Sequence, residues 1–406
     1  DNCEYIAYLA KFYAFDNQMV KAKTTLDKLQ KVTTSNALLL DTIGVAYSKL
    51  GLHSLAVPYF EKAVEIKPNN ADFNFNLAAS LKFSGKFLAA QHAYEQTISL
   101  TPNHYKAHAA LSSLGNISIE NNHLNTLIPI FDKLKKSDDK LFIGYAIARE
   151  YEAIKQYDKS YHALIQAKKD KLSSLQYSLN DDKALFSSIK DYFRDNVNVS
   201  NNDEQDQGYQ NSEAIFVVGM PRTGTTLVER ILSNHNDVGL LFKEHSQTHS
   251  HRVIDPETIA ASNNINFTEL GKAYINSTRV ITGNTPKFID KMPLNVLYAG
   301  FIIKALPKVK IVCLDRNPLD TVVSNFKQLF AVNQSYYDYS YCLSWTAEYY
   351  LLFKELITFW QHQYPENFYI INYEKLVNNP EEETKKMTDF CELTWQESCL
   401  DIQQNN

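Results

Sequence analysis

Cysteine is scarce in this sequence, long apolar runs are missing, and net charge is small. Five cysteines among 406 residues, Cys3, Cys313, Cys342, Cys391 and Cys399, are odd in number, widely spaced and without a CxxC pair. This argues against a disulfide framework and a zinc knuckle and fits a reducing compartment. No apolar stretch reaches the ~18 residues that a membrane span needs, and the first twenty residues lack the basic-then-apolar order of a signal peptide. The expectation is a cytoplasmic protein with no membrane span, for the residues present; the chain begins at Asp1 and not at a methionine. A formal charge of -5 means that any anionic ligand must be met by a local cluster of bases, since the overall field opposes it. Nucleic acid is therefore not expected as a partner. With 44% hydrophobic residues, the chain has material for two cores at roughly 100 to 200 residues per domain.

The first half is periodic. Gly44, Tyr47, Ala56, Phe60, Ala63 and Pro68 recur 34 residues on as Ala78, Leu81, Ala90, Tyr94, Thr97 and Pro102, and 34 residues back as Ala10, Tyr13, Ala22, Leu26 and Leu29. Small residues in fixed slots let two antiparallel helices approach, large ones fill the gap between them, and the proline ends the second helix. A fourth unit from Tyr105 degrades after Gly115. A fifth, from Leu141, recovers Ala148, Tyr151, Ser160, Leu164 and Ala167 after a two-residue insertion. The pattern resembles the tetratricopeptide repeat over about residues 3–174. That resemblance implies a groove, with Asn74 and His108 among its lining positions and a protein partner as its usual occupant; no cluster of Lys or Arg stands out there for capturing a carboxylate.

Residues 175–194 carry a helical pattern through Leu185, Phe186, Ile189 and Phe193, read as a docking helix, and a polar, aperiodic stretch follows it. The expected organisation is a repeat domain over 1–174, a docking helix and linker over 175–212, and an α/β domain over 213–406.

The α/β domain opens with Ala214–Gly219, an apolar run with the β-branched content of a buried parallel strand. Met-Pro-Arg-Thr-Gly-Thr-Thr follows, and then a helix with Leu227, Val228, Ile231 and Leu232 on one face. Strand, tight loop and helix form an anion-binding arrangement. Gly219, Gly224 and Thr226 fit the spacing GxxxxGK[ST], but Thr225 stands where that motif has lysine. That lysine neutralises the β and γ phosphates of a nucleoside triphosphate, so its absence points to another anion. It would be held by backbone N–H groups from Arg222 to Thr226, the Thr226 hydroxyl and the Arg222 cation.

A second strand, Lys310–Leu314, leads into Asp-Arg-Asn-Pro-Leu-Asp. Asn317 reads as a helix N-cap, Pro318 as the first helical residue and Asp320 as the acid of a capping box. Arg316 and Ser324 are free of that duty and can contact a second phosphate. The trio His245, His249 and His251 has no carboxylate at a recognised zinc spacing, and no metal is expected.

FVVGMPRTGTTLVERILSNH, FIDKMPLN, LPKVKIVCLDRNPLDTVVSNF, and YEKLVNNP with FCELTW resemble, in order, the bacterial sulfotransferases that carry tetratricopeptide repeats, relatives of the tyrosylprotein sulfotransferases. The resemblance implies a helical repeat array plus an α/β P-loop-type sulfotransferase domain with a parallel sheet. It implies PAPS (3′-phosphoadenosine 5′-phosphosulfate) as donor and PAP as product. Pro221, Arg222, Thr223, Gly224, Thr225 and Thr226 would hold the 5′-phosphosulfate, Arg316 and Ser324 the 3′-phosphate. Lys291 matches the base that bridges donor and acceptor, with Arg222 beside it, and Glu244 the general base, with His245 as its substitute. The acceptor would be a peptide, above all a protein tyrosine, or a saccharide or small phenol. Relatives continue past the tryptophan segment into a basic, glycine-containing stretch that closes over the donor; none lies between Trp395 and Asn406. Two other readings stand beside this one: a P-loop kinase or NTPase with Asp315 holding magnesium, and a non-catalytic repeat scaffold.

Overall fold

The computed structural model describes residues 2–16, 18–29, 33–195, 206–240, 254–283, 285–332 and 335–401. Two compact units divide the chain: Asp1–Leu175 with Leu329–Val332, and Gln176–Gln328 with Asn333–Asn405.

The first unit is a series of helix pairs: α1 (Asn2–Phe15) with α2 (Met19–Asp27), α3 (Ala37–Lys49) with α4 (His53–Ile66), α5 (Ala71–Phe83) with α6 (Phe87–Leu100), α7 (Tyr105–Ser112) with α8 (Leu124–Lys133), and α9 (Ser137–Ala153) with α10 (Tyr157–Ser174). Most of the periodic slots are buried: Ala10, Ala22, Leu26, Ala56, Phe60, Ala78, Ala90 and Tyr94 are all within 2% of complete burial, while Tyr13 is half-buried and the prolines Pro68 and Pro102 are exposed. The requirement for a small residue is steric. A Cβ on Gly44 would meet the Phe60 ring at 2.7 Å, closer than non-bonded carbons approach. The degraded fourth unit has the shortest helix of the array. Its α7 stops at Ser112 and the chain turns through Gly115 and Asn116, both at positive φ, before α8.

Asn74 and His108, expected along the groove, are instead buried. The Asn74 Nδ2 donates to the Pro68 carbonyl at 2.9 Å, and His108 Nε2 sits 2.9 Å from the Pro102 carbonyl. Both residues and both prolines are one period apart, so two different side chains tie the same turn to the same helix. Burial lowers the His108 pKa, which keeps the ring neutral and able to donate this single bond.

The first unit also buries a charge. Glu150 is fully buried on α9 and accepts from the Ser112 hydroxyl at 3.0 Å, from the His123 backbone N–H at 2.6 Å and from His123 Nδ1 at 2.9 Å. Burial pushes the carboxyl up, but the hydrogen bonds from His123 and Ser112 together outweigh it and leave its pKa lowered. His123 is raised, first by its bond to Glu150. A raised histidine contributes stability that is present below its ordinary value of 6.5 and is lost as pH rises through the folded value. The melting-temperature difference between wild type and His123→Gln is therefore expected to be largest near pH 6 and to shrink toward pH 8. A difference independent of pH would refute the pairing.

The second unit begins with α11 (Leu179–Asp195), whose Leu185, Phe186, Ile189 and Phe193 are buried against the aromatic core. Then follow β1 (Ala214–Gly219), α12 (Thr225–Ser233), β2 (Val238–Leu240), α13 (Pro256–Ala261), α14 (Phe267–Thr282), β3 (Lys287–Lys291), α15 (Ala299–Ala305), β4 (Lys310–Asp315), α16 (Pro318–Phe326), α17 (Leu343–Gln363), β5 (Phe368–Asn372), α18 (Tyr373–Asn378) and α19 (Pro380–Phe390). The five strands form one parallel sheet in the order β2-β3-β1-β4-β5. Alternate residues of β1 face opposite sides. Ala214, Phe216 and Val218 join α11, α15 and α17 in one core, while Ile215 and Val217 join α12 and α19 in the other. Both faces being covered, every residue of β1 is buried. In such sheets the crevice for ligands lies beyond the carboxyl ends of the strands where the order reverses, here at central β1 and its neighbours.

Candidate active site

Four parallel strands deliver the site residues to one edge. The loop 220–224 leaves β1; Lys291 ends β3, in register with Val217; Arg316 follows β4, whose Leu314 pairs with Gly219; Tyr373 follows β5, whose Asn372 pairs with Asp315.

The loop is held from within and from α16. Thr223 is buried and its hydroxyl donates to the Met220 carbonyl at 2.7 Å. Asn325, also buried, donates to the Pro221 carbonyl at 2.7 Å and accepts from the Tyr339 hydroxyl at 3.2 Å. Arg222 and Gly224 both have positive φ, 69° and 105°, so the backbone reverses twice in three residues. Gly224 is the N-cap of α12 and offers no side chain to its first amides, which leaves that helix end to receive an anion. Thr225 is buried and Thr226 exposed.

Arg316 connects the second station to the loop. Its Nη1 donates to the Arg222 carbonyl at 3.1 Å, its Nη2 lies 3.3 Å from the Asp320 carboxylate, and its guanidinium stacks 4.6 Å from the centre of the Tyr373 ring. Its Nε is buried and has no hydrogen-bond partner among the described residues. An unpaired buried donor on a cation is costly unless an acceptor arrives, and an incoming phosphate oxygen would be such an acceptor. Ser324 on α16 accepts from Arg222 Nε at 3.3 Å, so Arg222 touches both residues of the second station. The structure thus brings Arg222, Arg316 and Ser324 together around the loop.

Asp320 is not the acid of a capping box. Asn317 does cap α16, accepting from the Leu319 and Asp320 amides, but its own N–H goes to Glu374 on α18 at 3.0 Å. Asp320 turns to Arg316 instead, because a guanidinium one helical turn back is the stronger partner. The carboxylate proposed for magnesium in the kinase reading is ion-paired with Lys354 on α17 through Oδ2, while its buried Oδ1 has no hydrogen-bond partner among the described residues; burial first, and then Asp315, pushes the Tyr350 phenol up to about 12. Glu244, His245, His249 and His251 lie outside the described residues. Among the described residues no group of acidic, His or Cys side chains could hold a metal ion.

Tyr373 went unread as a site residue in the sequence. A Cβ on Gly224 would meet its ring at 2.5 Å, so its edge rests on the loop while its face carries Arg316. Neither the spacing nor the composition of YEKLVNNP signals this.

Residues 214–397 match the sulfotransferase family. Residues 39–70 match the tetratricopeptide repeat. An uncharacterized protein of Aquifex aeolicus (strain VF5) is 27% identical over 271 residues, covering 64% of this chain but only 35% of that protein, so the chain spans about a third of its relative's length. Among solved structures, a sulfotransferase from Alicyclobacillus acidocaldarius aligns at 17% identity over 45% of this chain and 81% of its own, with a TM-score of 0.32. The sulfotransferase domain of the curacin biosynthetic pathway aligns at 18% over 48% and 80%, with a TM-score of 0.34. A mouse sulfotransferase complexed with PAP aligns at 18% over 55% and 68%, with a TM-score of 0.29. The segment that matches the sulfotransferase family contains all four strand ends that build the site, and the repeat match lies within the helical array.

Gly224→Ala tests the loop geometry. The new methyl group meets both an unfavourable φ and the Tyr373 ring, and should destabilise the second unit by about 1–3 kcal/mol. Adding Tyr373→Ala should relieve the clash but not the backbone strain, so thermal denaturation of the double variant is expected to recover only part of the difference from Tyr373→Ala alone.

Proposed function

We propose that residues 213–406 act as a PAPS-dependent sulfotransferase domain, without a metal, in a cytoplasmic protein. One observation carries the reading: the site offers two anion stations on one sheet edge. The first is the loop with the open end of α12. The second is Arg316, whose Nε has no partner among the described residues, joined through Arg222 to Ser324. A donor with a 5′-phosphosulfate and a separate 3′-phosphate needs both. Pro221 to Thr226 would hold the 5′ end, and Arg316 with Ser324 the 3′-phosphate. For that, Asp320 must yield its place on Arg316 to a more highly charged partner.

In the reaction the acceptor oxygen bonds to sulfur, the bond between sulfur and the 5′-phosphate oxygen breaks with its electron pair staying on that oxygen, and the acceptor proton passes to a base. Glu244, assigned from the sequence alone, is the base in this reading. The loop amides, Lys291 and Arg222 would meet the charge growing on the leaving oxygen, which makes preorganised electrostatics the main source of rate. A protein tyrosine is the acceptor to try first, delivered with a protein partner held by the repeats; a saccharide or a small phenol would fill the same chemical role. Transfer of labelled sulfonate to a panel of all three decides among them.

PAP should raise the melting temperature of the protein without magnesium, by binding the native state alone, and ATP should do so much less. Equal stabilisation by ADP and PAP would remove the 3′-phosphate station from the reading. Arg316→Ala should weaken PAP binding by about 1.5–3 kcal/mol, the value of a hydrogen bond to a charged group, and calorimetry that finds the affinity unchanged would place the 3′-phosphate elsewhere.

A further inference from the structure

Glu229 stands on α12 one helical turn beyond Thr225, and its carboxylate lies 3.0 Å from the Lys291 Nζ at the end of β3. Both side chains are about a fifth exposed, at 20% and 23%, which is enough to reach a ligand and little enough for the pair to be weakly screened. Neither makes another ion pair or hydrogen bond among the described residues. A lysine ammonium is a point charge on a flexible four-carbon stem, and something must choose where it points. Here the choice is made by the helix that the loop itself opens: α12 starts at the loop, and Glu229 reaches from it to the neighbouring strand. The strand end is fixed in turn, since Asp290 is buried and accepts from the Tyr274 hydroxyl at 2.9 Å.

We propose that Glu229 is the positioning residue for Lys291. It holds the ammonium beside the loop, ready to turn toward the charge that develops between donor and acceptor, and so couples the placement of the cation to the placement of the loop. This rests on the sulfotransferase reading for its purpose, but the pair itself can be read without turnover.

Two measurements test it together. The first is trace acetylation of the ligand-free protein, with Lys291 quantified by mass spectrometry. Glu229→Gln should raise its labelling several-fold while leaving Lys354, paired with Asp315, unchanged. The second is kinetics. Glu229→Gln should lower kcat about 10- to 100-fold, the scale of a misplaced catalytic group, with the KM for PAPS within a few-fold and with Glu229→Asp restoring most of the rate. Glu229→Gln combined with Lys291→Met should be no slower than Lys291→Met alone, because the first residue acts through the second. Unchanged labelling would overturn the proposal, and so would a double variant whose losses multiply, which would give Glu229 a role of its own. A wild type that transfers no sulfonate to any acceptor, yet shows the labelling response, would refute the sulfotransferase reading and with it the purpose of the pair, while leaving the contact established.

Discussion

Strand β1 is hydrogen-bonded on both edges, to β3 and to β4, and both pairings are parallel. Parallel pairing brings the ends of the three strands out together, so the anion loop after β1, Lys291 at the end of β3 and Arg316 after β4 need no long excursion to meet. A slip of one residue in either pairing would exchange the two faces of the moved strand. With Ile215 and Val217 in one core and Phe216 and Val218 in the other, such a slip would bury the wrong set on both sides. The apolar packing thus fixes the register, and the register aligns the charges.

The repeat array rests on a different constraint, the distance between paired helices. Where one helix has Gly44, the other has the Phe60 ring; where the fifth pair has Ala148, its carbonyl accepts from the Ser160 hydroxyl at 2.7 Å. Close approach is kept by a small residue in each small slot, Gly, Ala or Ser, while the large slots take Phe, Tyr or Leu. The tie between each turn and the following helix is equally tolerant. Asn74 and His108 share a carbonyl partner type and a position, and little else.

Elements were legible in the sequence where a period or a fixed spacing carried them. The repeat pairs follow from slots 34 residues apart, and the anion loop follows from a buried strand, two glycines and an amphipathic helix. Contacts between distant segments were not legible. That Asp320 leaves its own helix end for Arg316, and that Glu374 takes the vacated amide, depends on where α18 lies after the sheet has formed. Asn74 and His108 show the opposite error: as polar residues in a repeat they suggested a groove, but the proline carbonyl six residues back, in the turn before the helix, captured each of them. Tyr373 is ordinary in sequence and becomes a site residue only because β5 ends beside β4. Local rules predict a side chain well while its partners are local, and each of these four has a partner that competes from outside or was not the one its surroundings advertised.

The missing lysine of the loop can be understood from the same strand ends. Thr225, which occupies its place, is buried, so a lysine there would have to thread outward from the base of α12 to reach an anion over the loop. This chain supplies positive charge from elsewhere: Arg222 within the loop, Lys291 from one neighbouring strand and Arg316 from the other. Three cations spread along an edge suit a ligand whose charges are far apart, whereas a single buried lysine suits phosphates joined in a row. Each of the two neighbouring cations also has a carboxylate beside it, Glu229 for Lys291 and Asp320 for Arg316. The two acids keep like charges on one edge from repelling each other unopposed, and under the donor reading Asp320 is the one that an arriving anion displaces, while Glu229 keeps its hold on Lys291.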